Sequence, residues 1–382
     1  MLTLSNSDFL RWIKLNFGKN RGTLLLLSVC LFASCQKDIE SPGSKSVTTS
    51  QNASLKKQVN ATVSVFATGF TNPRGLKFGP DGNLYVAEAG PGGTQSSEGL
   101  CQFAAPEYFG SPTGGGISSV SPGGVRSVIT TSLPTSAGEG ILGVADVAFV
   151  GNTLYALVNG GGCSHGVPSL PNGIYRINAN GSSSVVANLG AWQVTHPVAN
   201  PPADFEPEGT WYSMINVRND FYTVDPNHGE LVKVTTGGNV TRVADFSKSL
   251  GHIVPTALAY HGNFYMGNLG VFPITQGASK IYKITPEGNT KVDESDFTTV
   301  LGLVFDNNAN MYVLENTTNN MFPTPFTGRI VRVSPNGTKD VLVTGLALPT
   351  GMTYGPDGNL YVSNWGFGAA PGGGQVLKVT LN

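Results

Sequence analysis

From residue 61 onward the chain is written in short runs where apolar and polar residues alternate, each broken by glycine, asparagine or proline. Alternation with period two marks a strand with one face buried. Gly173-Ile174-Tyr175-Arg176-Ile177, Lys280-Ile281-Tyr282-Lys283-Ile284 and Gly328-Arg329-Ile330-Val331-Arg332-Val333 are examples. No stretch after residue 60 keeps the period of an amphipathic helix. An all-β domain is expected.

The runs assemble into a larger unit. A strand ending in an aromatic is followed by a short turn and a second strand with tyrosine near its start. Six copies begin at Pro73–Phe78, Val144–Phe149, Pro207–Tyr212, Pro255–Tyr260, Val300–Phe305 and Pro349–Tyr354. Their markers are Tyr85, Tyr155, Tyr222, Tyr265, Tyr312 and Tyr361, the later ones 43–49 residues apart, which suits a four-stranded blade. A third strand, a glycine-bearing hairpin such as Asn180-Gly181 or Asn336-Gly337, and a fourth strand complete the unit. The sixth copy stops after its third strand, and one orphan strand, Val63–Ala67, precedes the first. Placed as the outer strand of the sixth unit, the orphan closes the ring and covers both free edges. The expected fold is a six-bladed β-propeller over residues 61–382, closed by pairing the N-terminal strand with the last blade.

The tyrosines are expected to pack between blades. Gly75, Gly209, Ala257, Gly302 and Gly351 are expected on the crowded innermost strands, with Asp146 as the exception. Turns between strands 1 and 2, such as Pro80-Asp81-Gly82-Asn83, are short. Long inserts (89–115, 134–142, 159–172, 189–206, 268–278, 315–327 and 364–373) all fall on the opposite face, which marks it as the functional one.

On that face, strand 2 ends in Glu88, Asp225, Asn268, Glu315 and Asn364, with Asn159 beside the apolar exception Val158. Arg74, Glu208, Thr256 and Thr350 open strand 1 there. The expected ligand contacts are Arg74, Glu88, Asn159, Glu208, Asp225, Asn268, Glu315, Asn364 and Trp365. Glu88, Glu208 and Glu315 are the candidate ligands for a divalent cation such as Ca²⁺, since hard cations gather oxygen donors; the competing reading is that such residues cap loops and meet water. Asp204 and Glu206-Pro207-Glu208-Gly209 form the densest acidic segment, an acidic loop or the seat of a base or metal. Aromatics in the inserts, among them Trp192, Phe272, Phe322, Phe326 and Trp365, serve either to stack on a ligand or to hold the loops down. Cys101 and Cys163, in loops of adjacent blades on this face, are expected to form a disulfide. The five histidines show no HExxH spacing, and no GxSxG elbow is present.

Composition adds a compartment. Of 382 residues, 12% are charged and 50 are glycine, which suits a turn-rich β domain. Arg11, Lys14, Lys19 and Arg21 precede an apolar stretch from Thr23 to Ala33 that ends in Phe32-Ala33-Ser34-Cys35. This reads as a lipoprotein signal peptide over 1–34, with Cys35 carrying lipid and 35–60 a Ser/Thr/Lys-rich tether. A surface-export tag is suggested by Gln36-Lys37-Asp38-Ile39-Glu40. The expected location is the outer membrane or cell surface, anchored through the lipid on Cys35. After removal of 1–34 the chain carries 19 basic and 23 acidic residues, which argues against nucleic acid as a partner. A monomer is expected.

The run from Gly69 to Gly93, with Asn72-Pro73-Arg74-Gly75-Leu76 and Pro80-Asp81-Gly82-Asn83-Leu84-Tyr85-Val86-Ala87-Glu88, resembles the opening of the ScyD/ScyE family. The likeness extends to Ile141–Asn159, Pro207–Trp211 and Leu348–Trp365. It implies an NHL-like six-bladed propeller and no settled activity. A looser resemblance is to gluconolactonase-like and peptidyl-hydroxyglycine lyase-like propellers, which implies a divalent metal in the channel; Glu208-Gly209 and Trp211 resemble the metal-site Glu-Gly of the lactonase group. Two functions follow as expectations. One is a non-catalytic surface module for a small molecule, glycan or protein. The other is a metal-dependent hydrolase or lyase at the channel mouth.

Overall fold

The computed structural model describes residues 61–102 and 106–381, and these form six antiparallel sheets. The signal peptide, Cys35 and the tether lie outside the described residues. Blade 1 holds Pro73–Phe78, Leu84–Glu88, Phe109–Val120 and Arg126–Ala137. Blade 2 holds Val144–Val150, Thr153–Val158, Gly173–Ile177 and Ser183–Asn188; blade 3 holds Ser213–Val217, Asp220–Asp225, Glu230–Val234 and Val240–Asp245. Blade 4 holds Pro255–His261, Asn263–Asn268, Ser279–Ile284 and Thr290–Phe297; blade 5 holds Val300–Phe305, Met311–Glu315, Gly328–Val333 and Lys339–Leu346. Blade 6 takes Gly351–Tyr354, Leu360–Asn364 and Gly374–Leu381 from the C-terminus and Ala61–Phe70 from the N-terminus. The last two strands pair from Ala61↔Leu381 to Phe70↔Gly374. The chain is a six-bladed β-propeller, and its ring is closed by the strand that had no partner in the sequence repeat.

The marker tyrosines show what joins the blades. Tyr85 meets Phe149, Tyr155 meets Phe221, Tyr222 meets Phe264, Tyr265 meets Phe305, Tyr312 meets Tyr354 and Tyr361 meets Phe78. One aromatic pair thus stands at every junction, including the closing one, with centroids 4.4–6.4 Å apart. Such pairs add about 0.5–1.5 kcal/mol each beyond the area they bury.

Two elements differ from expectation. The inner strand of blade 3 is Ser213–Val217, not Pro207–Tyr212. Gly209 sits at φ +67° in a turn closed by its N–H on the Glu206 carbonyl, which no strand accommodates. Ser213, not Gly209, therefore faces the axis beside Gly75, Asp146, Ala257, Gly302 and Gly351. The segment 89–115 is also less of a loop than expected: strand 3 of blade 1 already begins at Phe109, forming a long hairpin with Arg126–Ala137. Its glycines allow close backbone approach; a Cβ on Gly110 would lie 2.2 Å from the His165 carbonyl oxygen.

Candidate functional site

The axis itself is nearly closed. The six inner strands leave a cavity of about 20 Å³ beside Asp146, room for a water or two. Asp146 is buried and accepts the Met214 N–H at 2.9 Å, with the Lys77 ammonium 3.7 Å away. Burial pushes its carboxyl above the ordinary range, against Lys77 and the hydrogen bonds. Toward the insert-bearing face Arg74 is buried and donates to the carbonyls of Gly366 and Ile141, tying blade 6 to the end of blade 1. Burial lowers its pKa. Tyr212 donates to the Thr350 carbonyl at 2.9 Å, and burial pushes its hydroxyl to about 12.

The polar residues that end strand 2 have a shared job. Glu88 accepts the Thr71 N–H at 2.7 Å, Asn159 the Gly143 N–H at 2.8 Å and Asp225 the Thr210 N–H at 3.0 Å. Glu315 accepts the Thr298 N–H at 2.6 Å and Asn364 the Ala347 N–H at 2.9 Å. Asn268 does the converse, donating to the Ile253 carbonyl at 2.9 Å. Each ties the end of strand 2 to the chain entering its own blade. Glu88 also pairs with Arg126, and Glu315 with Arg329. Glu208 accepts both the N–H and the hydroxyl of Ser164. Among the described residues, no cluster of metal-capable side chains joins Glu88, Glu208 and Glu315. Trp365 packs edge-to-face on Phe326, 5.5 Å between centroids.

The insert-bearing face divides in two. Over blades 1–3 it gathers the acidic groups, with Leu100 and Val194 also exposed there. The Cys101–Cys163 disulfide joins the strand 2–3 loops of blades 1 and 2 across 62 residues of sequence. It precedes the single turn Cys163–His165, which sinks His165 into the blade interface. His165 Nε2 lies 2.7 Å from Glu206 and Nδ1 lies 2.7 Å from the Gly161 carbonyl oxygen. Burial alone would lower the imidazole pKa; Glu206 and that carbonyl outweigh it and hold it above the ordinary value. Tyr108 donates to Glu206 at 3.3 Å and its own pKa is raised, first by burial and then by Glu206. Glu139, partly exposed, is raised by burial and by Glu206 and Asp204. Deeper in blade 3, Asp225, His228 and Glu230 converge across the strand 2–3 turn. Burial first, then the Asp225 charge, raises Glu230 to about 7.

Over blades 4–6 the same face exposes large apolar side chains. Val271, Met321 and Phe326 are 53%, 62% and 65% exposed, and Phe272 stacks near Phe322. The Ile274 N–H donates to the Met321 carbonyl, locking the loops of blades 4 and 5 together. Phe326 and Trp365 both sit at positive φ, +65° and +53°. On the other face, an open funnel of about 710 Å³ is lined by Phe78, Phe149, Tyr260, Phe305 and Tyr354 with Arg218. Its aromatics are accounted for by packing: four of them are the partners of marker tyrosines, and Tyr260 packs on Phe264.

The sequence did not assign Tyr108, Glu139, His165, His228 or Glu230. For the last two, the local signal was Asp225-x-x-His228-x-Glu230 around one turn. Tyr108 and Glu139 flank the outer hairpin of blade 1 and His165 comes from blade 2, and only the fold unites them.

No protein-family model matches the chain, and no curated protein matches it. Solved propellers do. A gluconolactonase from Xanthomonas campestris aligns with TM-score 0.53 and 10% identity, over 87% of this chain and 94% of that one. A PQQ-bound aldose sugar dehydrogenase from Streptomyces coelicolor aligns with TM-score 0.52 and 15% identity, over 85% and 99%. A protein of unknown function from Bacteroides thetaiotaomicron gives 0.53 and 12%, over 85% and 77%. At these identities the likeness is one of fold.

Proposed function

We propose that the chain is a lipid-anchored, extracytoplasmic binding module related to the ScyD/ScyE propellers, taking its partner on the apolar half of the insert-bearing face. The observation that carries this reading is the exposed group Val271, Met321 and Phe326. Apolar side chains gathered at a surface mark an interaction site. Phe326 and Trp365 add backbone conformations that cost a bulky residue roughly 1–3 kcal/mol, strain of the kind kept where function needs it. The partner chemistry that fits is a protein or the apolar face of a sugar ring. The residues ending strand 2 support the reading from the other side, because their hydrogen bonds brace the blades.

The test is a triple variant, Val271→Ser, Met321→Ser and Phe326→Ser, probed on a glycan panel and by capture of envelope proteins. Loss of the wild-type binding profile with unchanged melting is expected. An unchanged profile sinks the assignment of the site. The anchor is tested apart: Cys35→Ser should move the protein from the membrane to the soluble fraction, and unchanged partitioning refutes lipidation.

A hydrolase or lyase reading is favoured by one observation, the raised carboxyl of Glu139 beside Tyr108, Glu206 and His165. Lactone turnover abolished by Glu139→Gln would favour it; absence of any turnover leaves the binding module.

A further inference from the structure

Blade 3 concentrates an oddity. Asp225, His228 and Glu230 are all buried, His228 to 1% exposure, and one donor atom from each lies within 4.8 Å of the others. Buried polar atoms nearly always find a hydrogen-bond partner. Here Asp225 Oδ2, Glu230 Oε1 and both ring nitrogens of His228 have none. His228 Nδ1 and Asp225 Oδ2 face each other at 2.8 Å as an ion pair, which leaves Glu230 Oε1 and His228 Nε2 with no partner of any kind among the described residues.

The remaining atoms of the carboxylates are held. Asp225 Oδ1 accepts the N–H groups of Thr210 and Asn227, both at 3.0 Å. Glu230 Oε2 takes the Arg242 guanidinium, which also donates to the His196 and Pro197 carbonyls. Each carboxylate is thus anchored by one oxygen and presents the other inward. The hairpin enforces this, since Asp225 and Glu230 are direct cross-strand partners and His228 lies in the turn between them. Gly209 leaves the space above: a Cβ there would stand 2.2 Å from Asp225 Oδ2.

We propose that Asp225, His228 and Glu230 bind a first-row divalent cation, zinc best among them. One imidazole nitrogen and two carboxylate oxygens make a mixed set that suits zinc or manganese; calcium asks for six to eight oxygens. The ion lies off the axis, between the strands of one blade and away from the channel mouth. It neutralises two facing carboxylates, of which Glu230 alone has an arginine, and it pins the strand 2–3 turn of blade 3. The site does not depend on the apolar binding surface.

The test uses the full chain, stripped with chelator and titrated with Zn²⁺, Mn²⁺ or Ca²⁺, reading bound metal per chain and melting temperature. About one zinc per chain is expected, with melting raised by about 4 °C at a hundredfold excess over Kd. Ca²⁺ should give no response. His228→Ala and Glu230→Gln should each abolish both readouts, and Glu230→Gln should not lower melting of the stripped protein, because it removes a repulsion. Should either variant fail to fold, Co²⁺ added to wild type supplies the second measurement: visible bands of a four- or five-coordinate nitrogen–oxygen site are expected. A wild type that retains no ion and shows no shift overturns the proposal. So does zinc binding that survives in both folded variants.

Discussion

Glu315 decides whether the residues ending strand 2 brace the fold or wait for a ligand. It is fully buried, accepts the Thr298 N–H at 2.6 Å and pairs with Arg329, whose side chain is 29% exposed. Glu315→Ala strands the Thr298 N–H, a loss of about 1–3 kcal/mol for an unsatisfied buried group. Arg329 can turn to water, so the lost ion pair adds no more than about 1 kcal/mol. The sum is about 1–4 kcal/mol. A domain of about 320 residues unfolds with an entropy near 0.7 kcal/mol/K, so melting should fall by about 1.5–6 °C. Glu315→Gln keeps an acceptor for Thr298 and should lose about half as much. Circular dichroism melts, run with chelator and again with Ca²⁺, measure both. If Glu315→Ala melts within about 1 °C of wild type but loses a bound ion or ligand, the brace reasoning is refuted.

The disulfide closes 62 residues, for which chain-entropy arguments give up to about 4 kcal/mol; Cys101→Ser with Cys163→Ser should lower the urea midpoint accordingly, and no change would show the face ordered without it. In stripped protein, Glu230 has a folded pKa of about 7, above the unfolded carboxylate value near 4.3. Its contribution is therefore full below about pH 4 and is lost as pH rises through about 7. Melting of wild type relative to Glu230→Gln should fall between pH 5 and pH 8, and a pH-independent difference would contradict the burial assigned to it. Deleting Ala61–Phe70 exposes the edge of Gly374–Leu381 and should destabilise the whole ring, visible as one cooperative transition at lower temperature; an unchanged melt would contradict the closure.

The fold was legible because each blade repeats one aromatic contact, and a repeat of contacts must be a repeat of residues. Blade 3 slipped because Tyr212 imitates the aromatic that ends strand 1. The true end is Val217, followed by Arg218 and Asn219, both at positive φ in a two-residue hairpin turn. The distance to the marker could have told them apart: ten residues from Tyr212 to Tyr222, against five to seven elsewhere. The long hairpin of blade 1 was hidden because Gly114, Gly115 and Gly116 carry no alternation. At the site, positions were readable and roles were not. Glu88 is fixed by an N–H 17 residues earlier, and Tyr108 meets Glu206 across 98 residues. Asp225, His228 and Glu230 needed only the turn between two strands, which is why a local motif held them.

Site-specific photo-crosslinking in the cells that make the protein tests the insert-bearing face as a binding surface most directly. A crosslinker replaces Phe326 on the insert-bearing face in one strain and Arg218 at the funnel in another, both exposed positions. A discrete crosslinked partner is expected from position 326 and none from position 218. A partner captured from position 218 alone would contradict that assignment.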